Sequence, residues 1–359
     1  MTIQQPIDTS TITLSAAAQG PYLAATYLNL ATIAYSDEKA LFGANALKAV
    51  SQAIPALPAV TVPGNAGQTG TLTYQWGAAA LLDANLVYAV SCNDSNDAPQ
   101  FLAVVLRGTD TATDGPALFK QICEDLRCDS QLDWDATVTA LSANHDLPAA
   151  VKQPYANPAI AMGTAKGLQK ILSLKDSSHT NVASFVQDFV IKYPGVPVVV
   201  TGHSLGGCQT IVLAQYLSQT LTGSPILVSQ PWAPPTPGNQ AFATLYDTTF
   251  GARSFVWWNT LDVVPNAFWN MSDIPTLWTN VAMSEADKLI YAAINGPLTL
   301  SKCTYALPAT NGTTLTGAQP AAGPKWISEL CTQHFPPMYA QLLAQNTSVW
   351  SYNGIPKAG

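Results

Sequence analysis

The chain has 359 residues, 48% of them hydrophobic and only 10% charged, with a formal net charge of −7. So apolar a composition excludes extensive disorder, and an acidic chain without a basic run has nothing to track a phosphate backbone, so nucleic acid is not expected as a partner. No stretch approaches the ~18 consecutive apolar residues of a membrane span, so no transmembrane segment is expected either. The opening residues, Met1-Thr2-Ile3-Gln4-Gln5-Pro6, hold neither a positive charge nor an apolar core. No secretory leader is therefore expected; a cytoplasmic location, signal-independent secretion and a trimmed secreted protein all fit.

In chain order, residues 20–55 read as two helices, the first with the apolar density of a packed helix and the second opening on Ser36 as N-cap with an acidic first turn. Residues 1–65 are expected to form a helical extension. From Thr71 the period changes to two. Thr71-Leu72-Thr73-Tyr74-Gln75-Trp76, Asn85-Leu86-Val87-Tyr88-Ala89-Val90 and Phe101-Leu102-Ala103-Val104-Val105-Leu106 read as strands, with a turn at Asn93-Asp94-Ser95-Asn96-Asp97. Residues 111–157 look irregular. Helical patterns return at 158–174 and 181–193, followed by a short apolar strand at 195–200, a helix at 204–221, a strand at 225–229, a helix at 238–248 and a strand at 252–258. Strands alternating with helices imply a mostly parallel sheet with helices on both faces. One α/β domain over 1–359 is expected. Its segment 265–330, containing a helix near 284–294, is expected to be an insertion on the substrate side.

The six cysteines, Cys92, Cys123, Cys128, Cys208, Cys303 and Cys331, match no zinc spacing. Cys303 and Cys331 flank a loop-rich region and are candidates for a disulfide in an oxidising compartment, the alternative being reduced core residues.

Chemistry enters at Val198-Val199-Val200-Thr201-Gly202-His203-Ser204-Leu205-Gly206-Gly207. A serine on a strained strand-to-helix turn needs neighbours without Cβ atoms, and the turn presents its hydroxyl above the sheet. The helix start also aims the Leu205 N–H at an oxyanion forming there. Ser204 is the candidate nucleophile of an α/β-hydrolase. It requires a histidine to take its proton and a carboxylate to orient that histidine, in the chain order Ser, Asp, His. Of the four histidines, His145, His179 and His203 precede Ser204. His203 adjoins it and is expected to point away, which leaves His334, expected in a loop entering a final helix. For the acid, Asp262 follows the apolar run Phe255-Val256-Trp257-Trp258 and is closed by Pro265; Asp247 and Asp273 are the competitors.

The Gly-His-Ser-Leu-Gly-Gly run, Asp262 in Leu-Asp-Val-Val-Pro and the late His334 resemble the class 3 (fungal triacylglycerol lipase-like) lipase family. Leu106-Arg107-Gly108-Thr109-Asp110 and Ala233-Pro234-Pro235-Thr236-Pro237-Gly238-Asn239-Gln240-Ala241-Phe242 resemble further segments of it, in the same order. The resemblance implies that Thr109 is the second oxyanion donor beside Leu205 and that 110–157 contains a lid-like insertion. It also implies an ester hydrolase acting on lipid esters, triacylglycerols first, through an acyl-enzyme and without a cofactor. Phospholipase or general carboxylesterase activity is the alternative, followed by a catalytically silent lipid-binding relative.

Overall fold

The computed structural model describes residues 23–35, 44–57, 59–61, 69–80, 85–108, 127–309 and 313–345. At its centre is a six-stranded sheet in the order β1-β2-β3-β4-β7-β8. Strands β1 (Val60–Thr61), β2 (Thr69–Ala79), β3 (Leu86–Asn93) and β4 (Pro99–Leu106) are antiparallel, and β7 (Val198–His203) and β8 (Leu227–Trp232) run parallel to β4. Strands β3, β7 and β8 are buried along their full length, because both faces of the sheet are covered.

Residue alternation decides which helices cover which face. Val87, Ala89, Leu102, Val104, Leu106, Val198 and Val200 share one apolar cluster with residues of α4 (Met162–Ser173), α5 (Val182–Lys192), α6 (Leu205–Thr220) and α7 (Gln240–Phe250). Their neighbours Leu86, Tyr88, Val90, Phe101, Ala103, Val105 and Val199 face the opposite way. There they meet α1 (Ala24–Ile33) and α2 (Ala44–Ala53) through Tyr27, Leu30, Ala46 and Val50. The Tyr88 hydroxyl donates to the Leu30 carbonyl and anchors α1 to the sheet. The N-terminal helices thus form the second covering layer. The expected N-cap at Ser36 lies outside the described residues.

Several expectations are corrected. The stretch read as irregular contains β5 (Gln131–Asp133), paired antiparallel with β6 (Ala159–Ala161), and the helix α3 (Trp134–Ser142). Asp133 caps α3 by accepting the Ala136 N–H at 2.9 Å, and fully buried Trp134 donates to Gln219 at 3.0 Å. The part of the lid-like insertion within 109–126 lies outside the described residues. The strand expected at 225–229 continues to Trp232, because Pro231 needs no donor there: its carbonyl accepts the Trp257 N–H at 2.9 Å. The strand expected at 252–258 is reduced to bridges of Ser254 and Trp257 to β8, followed by β9 (Trp258–Asn259) beside β10 (Thr314–Leu315). The Cys303 thiol is free and lies 3.8 Å from the Gln153 carbonyl, so the Cys303–Cys331 disulfide is not formed.

Beyond β9, the chain enters the short helix α8 (Val263–Asn266) and later α9 (Glu285–Ser301), whose first turn is closed by a Ser284–Asp287 capping box. It then forms α10 (Trp326–His334) and α11 (Pro336–Gln345). A third apolar cluster, with Val263, Phe268, Ile294, Leu298 and Leu330, gathers these elements against Leu205 and Phe335. Among the described residues no helix is long and apolar enough to cross a membrane.

Candidate active site

The turn between β7 and α6 is strained, with Ser204 at φ 61° and ψ −128°. Its glycines are enforced by close packing. A Cβ on Gly202 would lie 2.6 Å from the carbonyl oxygens of Leu106 and Gly206, one on Gly206 2.3 Å from the Leu106 oxygen, and one on Gly207 2.4 Å from the Trp232 oxygen. No side chain fits at such distances, so β4 and β8 grip the turn from both sides. The Ser204 N–H is fixed by the Trp232 carbonyl at 2.9 Å. Leu205 opens α6, where the first N–H groups have no acceptor within the helix.

Ser204, Asp262 and His334, separated widely in sequence, form one hydrogen-bonded chain. His334 Nε2 lies 2.8 Å from Ser204 Oγ, and His334 Nδ1 lies 2.8 Å from Asp262 Oδ2. A carboxylate only accepts, so Nδ1 carries the proton and Nε2 is the acceptor for the serine hydroxyl. Asp262 is the N-cap of α8, and its Oδ1 accepts the Val264 N–H at 2.9 Å. All three side chains are buried. The competing carboxylates are elsewhere: Asp247 accepts the Ala309 N–H, and Asp273 is exposed in the 3-10 turn Met271–Thr276. His334 is the last residue of α10, not a loop residue as expected. Gln333 beside it bonds Asn259 at 2.7 Å and Glu329 at 2.7 Å, which ties α10 to the end of β9.

The second expected oxyanion donor, Thr109, lies outside the described residues. Its neighbour Gly108 sits directly against the elbow, where an added Cβ would be 2.5 Å from the His203 carbonyl oxygen. The Tyr35 hydroxyl joins the two segments, accepting the Gly108 N–H at 3.0 Å and donating to the His203 carbonyl at 3.2 Å. The N-terminal layer therefore contributes a side chain to the support of this turn.

Sequence reasoning missed Tyr339. Its hydroxyl donates to Asp262 Oδ2 at 2.8 Å and accepts the Asn259 N–H at 3.1 Å, fully buried. Burial and the neighbouring Asp262 push its ionisation well above the ordinary tyrosine value, so it remains a donor. Only its place five residues after His334, in the expected final helix, was visible beforehand. Tyr339→Phe removes one of the two donors on Oδ2 and strands the Asn259 N–H. A loss of about 1.5–3 kcal/mol in stability is expected in thermal unfolding, with kcat on a soluble ester falling more than KM changes.

The Trp232 and Trp257 rings stack at 4.8 Å beneath the site, and Trp278 is buried with its Nε1 on the Leu261 carbonyl at 3.0 Å. Of the aromatic residues around Asp262, Trp269 is the most exposed among Trp257, Phe268, Trp269 and Trp278.

The sequence profile described as Lipase (class 3) matches residues 103–271, a stretch that includes the end of β4, the elbow and Asp262. Among solved structures, M37 lipase is similar over 91% of this chain and 98% of its own, with 17% identity and a TM-score of 0.66. That likeness shows the shared fold. The Lip2 lipase from Yarrowia lipolytica matches 69% of this chain and 74% of its own at 16% identity, TM-score 0.44. The lipase from Rhizopus microsporus var. chinensis matches 74% and 77% at 19% identity, TM-score 0.45. Residues 103–271 thus match the class 3 lipase profile on an α/β-hydrolase fold, and the chain is a serine ester hydrolase.

Proposed function

We propose that the protein hydrolyses lipid esters, triacylglycerols first, through an acyl-enzyme on Ser204. The observation that carries the reading is the continuous hydrogen-bonded chain from Ser204 Oγ through the His334 ring to Asp262. Ser204 Oγ attacks the ester carbonyl while His334 Nε2 takes its proton, and Asp262 stabilises the imidazolium through Nδ1–H. The N–H groups of Leu205 and Thr109 receive the oxyanion. Collapse of the tetrahedral adduct breaks the ester C–O bond, and His334 returns the proton to the departing alcohol. A water molecule, deprotonated by His334, then attacks the acyl-enzyme, releasing the carboxylic acid and regenerating Ser204.

A lipid substrate is favoured by α9. A surface helix normally turns polar residues outward, yet Leu289 and Leu300 on this one are 73% and 84% exposed. Its inner residues Ile294 and Leu298 pack in the same apolar cluster as Leu205 and Phe335 beside the site. The test is hydrolysis of triacylglycerol emulsions, phospholipid vesicles and p-nitrophenyl esters of graded chain length, with a fluorophosphonate as covalent probe. Fatty acid release from the emulsion and an adduct on Ser204 are expected. Release from phospholipid alone would make the protein a phospholipase, turnover of soluble short esters alone a carboxylesterase, and a folded protein unlabelled at Ser204 would overturn the mechanism.

A further inference from the structure

His203 was expected to point away from the chemistry. It does not touch Ser204 through its ring, but it does reach the base. The side chain is 1% exposed, its Nε2 lies 2.9 Å from the His334 backbone carbonyl oxygen, and the two rings are 4.8 Å apart between centroids. Because a carbonyl only accepts, the proton of the neutral ring sits on Nε2. Nδ1, also buried, has no hydrogen-bond partner among the described residues. The titratable groups facing the ring are His334 on α10, Tyr339 on α11 and Tyr35 just past α1, the two tyrosines edge-on at 5.9 and 6.1 Å. Burial is the main reason that the ring stays neutral, with the His334 imidazole adding to it.

His334 ends α10, and the last carbonyls of a helix have no intrahelical donor. The His334 carbonyl is turned inward, towards the strand that carries the nucleophile. Without a donor it would be left unpaired in the core, and the peptide would be free to rotate to another partner. Its side chain must meanwhile place two ring nitrogens at 2.8 Å from Ser204 and Asp262 at once, a constraint that depends on where the backbone is held.

We propose that His203 is a positioning residue for the base: its neutral Nε2–H holds the His334 peptide, and so fixes the imidazole between Ser204 and Asp262. The inference rests on His334 being the base. The residue type suits the place. An Arg or Lys donor would put a permanent charge beside a ring that must itself become positive when it takes the serine proton. Histidine supplies a donor of the same reach and remains uncharged. The same residue also receives the Tyr35 hydroxyl on its own carbonyl, so one residue of the elbow strand connects the end of β4 with the base.

The test compares His203→Phe, which keeps a ring and removes the donor, with His203→Gln, whose amide reaches about as far as Nε2, and His203→Asn, whose amide does not. Each is checked by circular dichroism and assayed on p-nitrophenyl acetate. A misplacement of about 1 Å at a reacting group costs up to ~10²-fold. Phe and Asn are therefore expected to lower kcat about 10- to 100-fold with KM within about twofold, and Gln to recover most of it. Should Phe not fold, the Gln and Asn pair still decides. Equal kcat for those two, or wild-type kcat in folded His203→Phe, would overturn the role. His334→Ala, run in parallel, separates this from failure of the underlying reading: an active His334→Ala enzyme means that His334 is not the base.

Discussion

Ser204→Ala is expected to lower kcat on any accepted ester by at least about 10⁴-fold and to abolish labelling by a fluorophosphonate. The reason is the strict division of labour at the site. His334 Nε2 faces Ser204 Oγ at 2.8 Å, and removal of the hydroxyl leaves a base with no nucleophile to activate. The residual rate over water would come from oxyanion donors and binding alone. The fold should tolerate the change. Alanine is smaller than serine, and the turn is held by backbone contacts, the Ser204 N–H on Trp232 and the Cys208 N–H on the Ser204 carbonyl. An unfolding midpoint close to wild type, together with lost turnover, is the expected pair of results. Activity retained within a factor of ten would remove Ser204 from the mechanism.

Asp262→Asn is the second large effect. Every partner of this carboxylate is a donor: the Val264 N–H on Oδ1, and His334 Nδ1–H and the Tyr339 hydroxyl on Oδ2. Asparagine offers a single acceptor oxygen, so either orientation of its amide sets an N–H against a donor. Facing His334, the amide favours the other ring tautomer, which places a proton on Nε2 and blocks it from accepting the serine proton. A loss of kcat near 10⁴-fold is expected, with KM much less affected, measured on a soluble ester. The position is fully buried, so a fall in the thermal midpoint is expected to accompany it. If kcat falls by less than about tenfold, Asp262 does not orient the base.

The extent to which this site was readable beforehand follows from the range of the interactions that build it. The Val run before Ser204 and the glycines around it are local, and steric exclusion at Gly202, Gly206 and Gly207 is what preserves them. His334 was reached because no other histidine follows the nucleophile, and Asp262 because a carboxylate at a strand end is where the topology can use one. Tyr339 left no comparable trace. Its contact with Asp262 spans 77 residues, and a tyrosine on a short helix reads as core whether or not its hydroxyl meets a carboxylate. His203 was set aside because it adjoins the nucleophile, which correctly turned its ring from Ser204 but could not show the end of α10 arriving on that face. In the fold, the central strands were legible from their alternation. Helix α3 was hidden because its nine residues mix Thr and Asp with a buried Trp, and its cap and its tryptophan anchor are the stronger determinants. β8 runs past the expected end at 229 because Pro231 lacks only the donor, and its acceptor is in use.

The packing of the first described helix against the last has a consequence for how activity arises during synthesis. Ala24 and Leu28 of α1 share an apolar cluster with Tyr339, Leu342 and Leu343 of α11. The bonds that complete the site join positions 130 and 72 residues apart in the chain. Closure of such distant contacts comes late in folding. On the proposed triad, a growing polypeptide lays down the sheet and the turn at Ser204 while it is still inert, since His334 and Tyr339 follow them by more than 100 residues. Hydrolytic competence is therefore a report on the finished molecule.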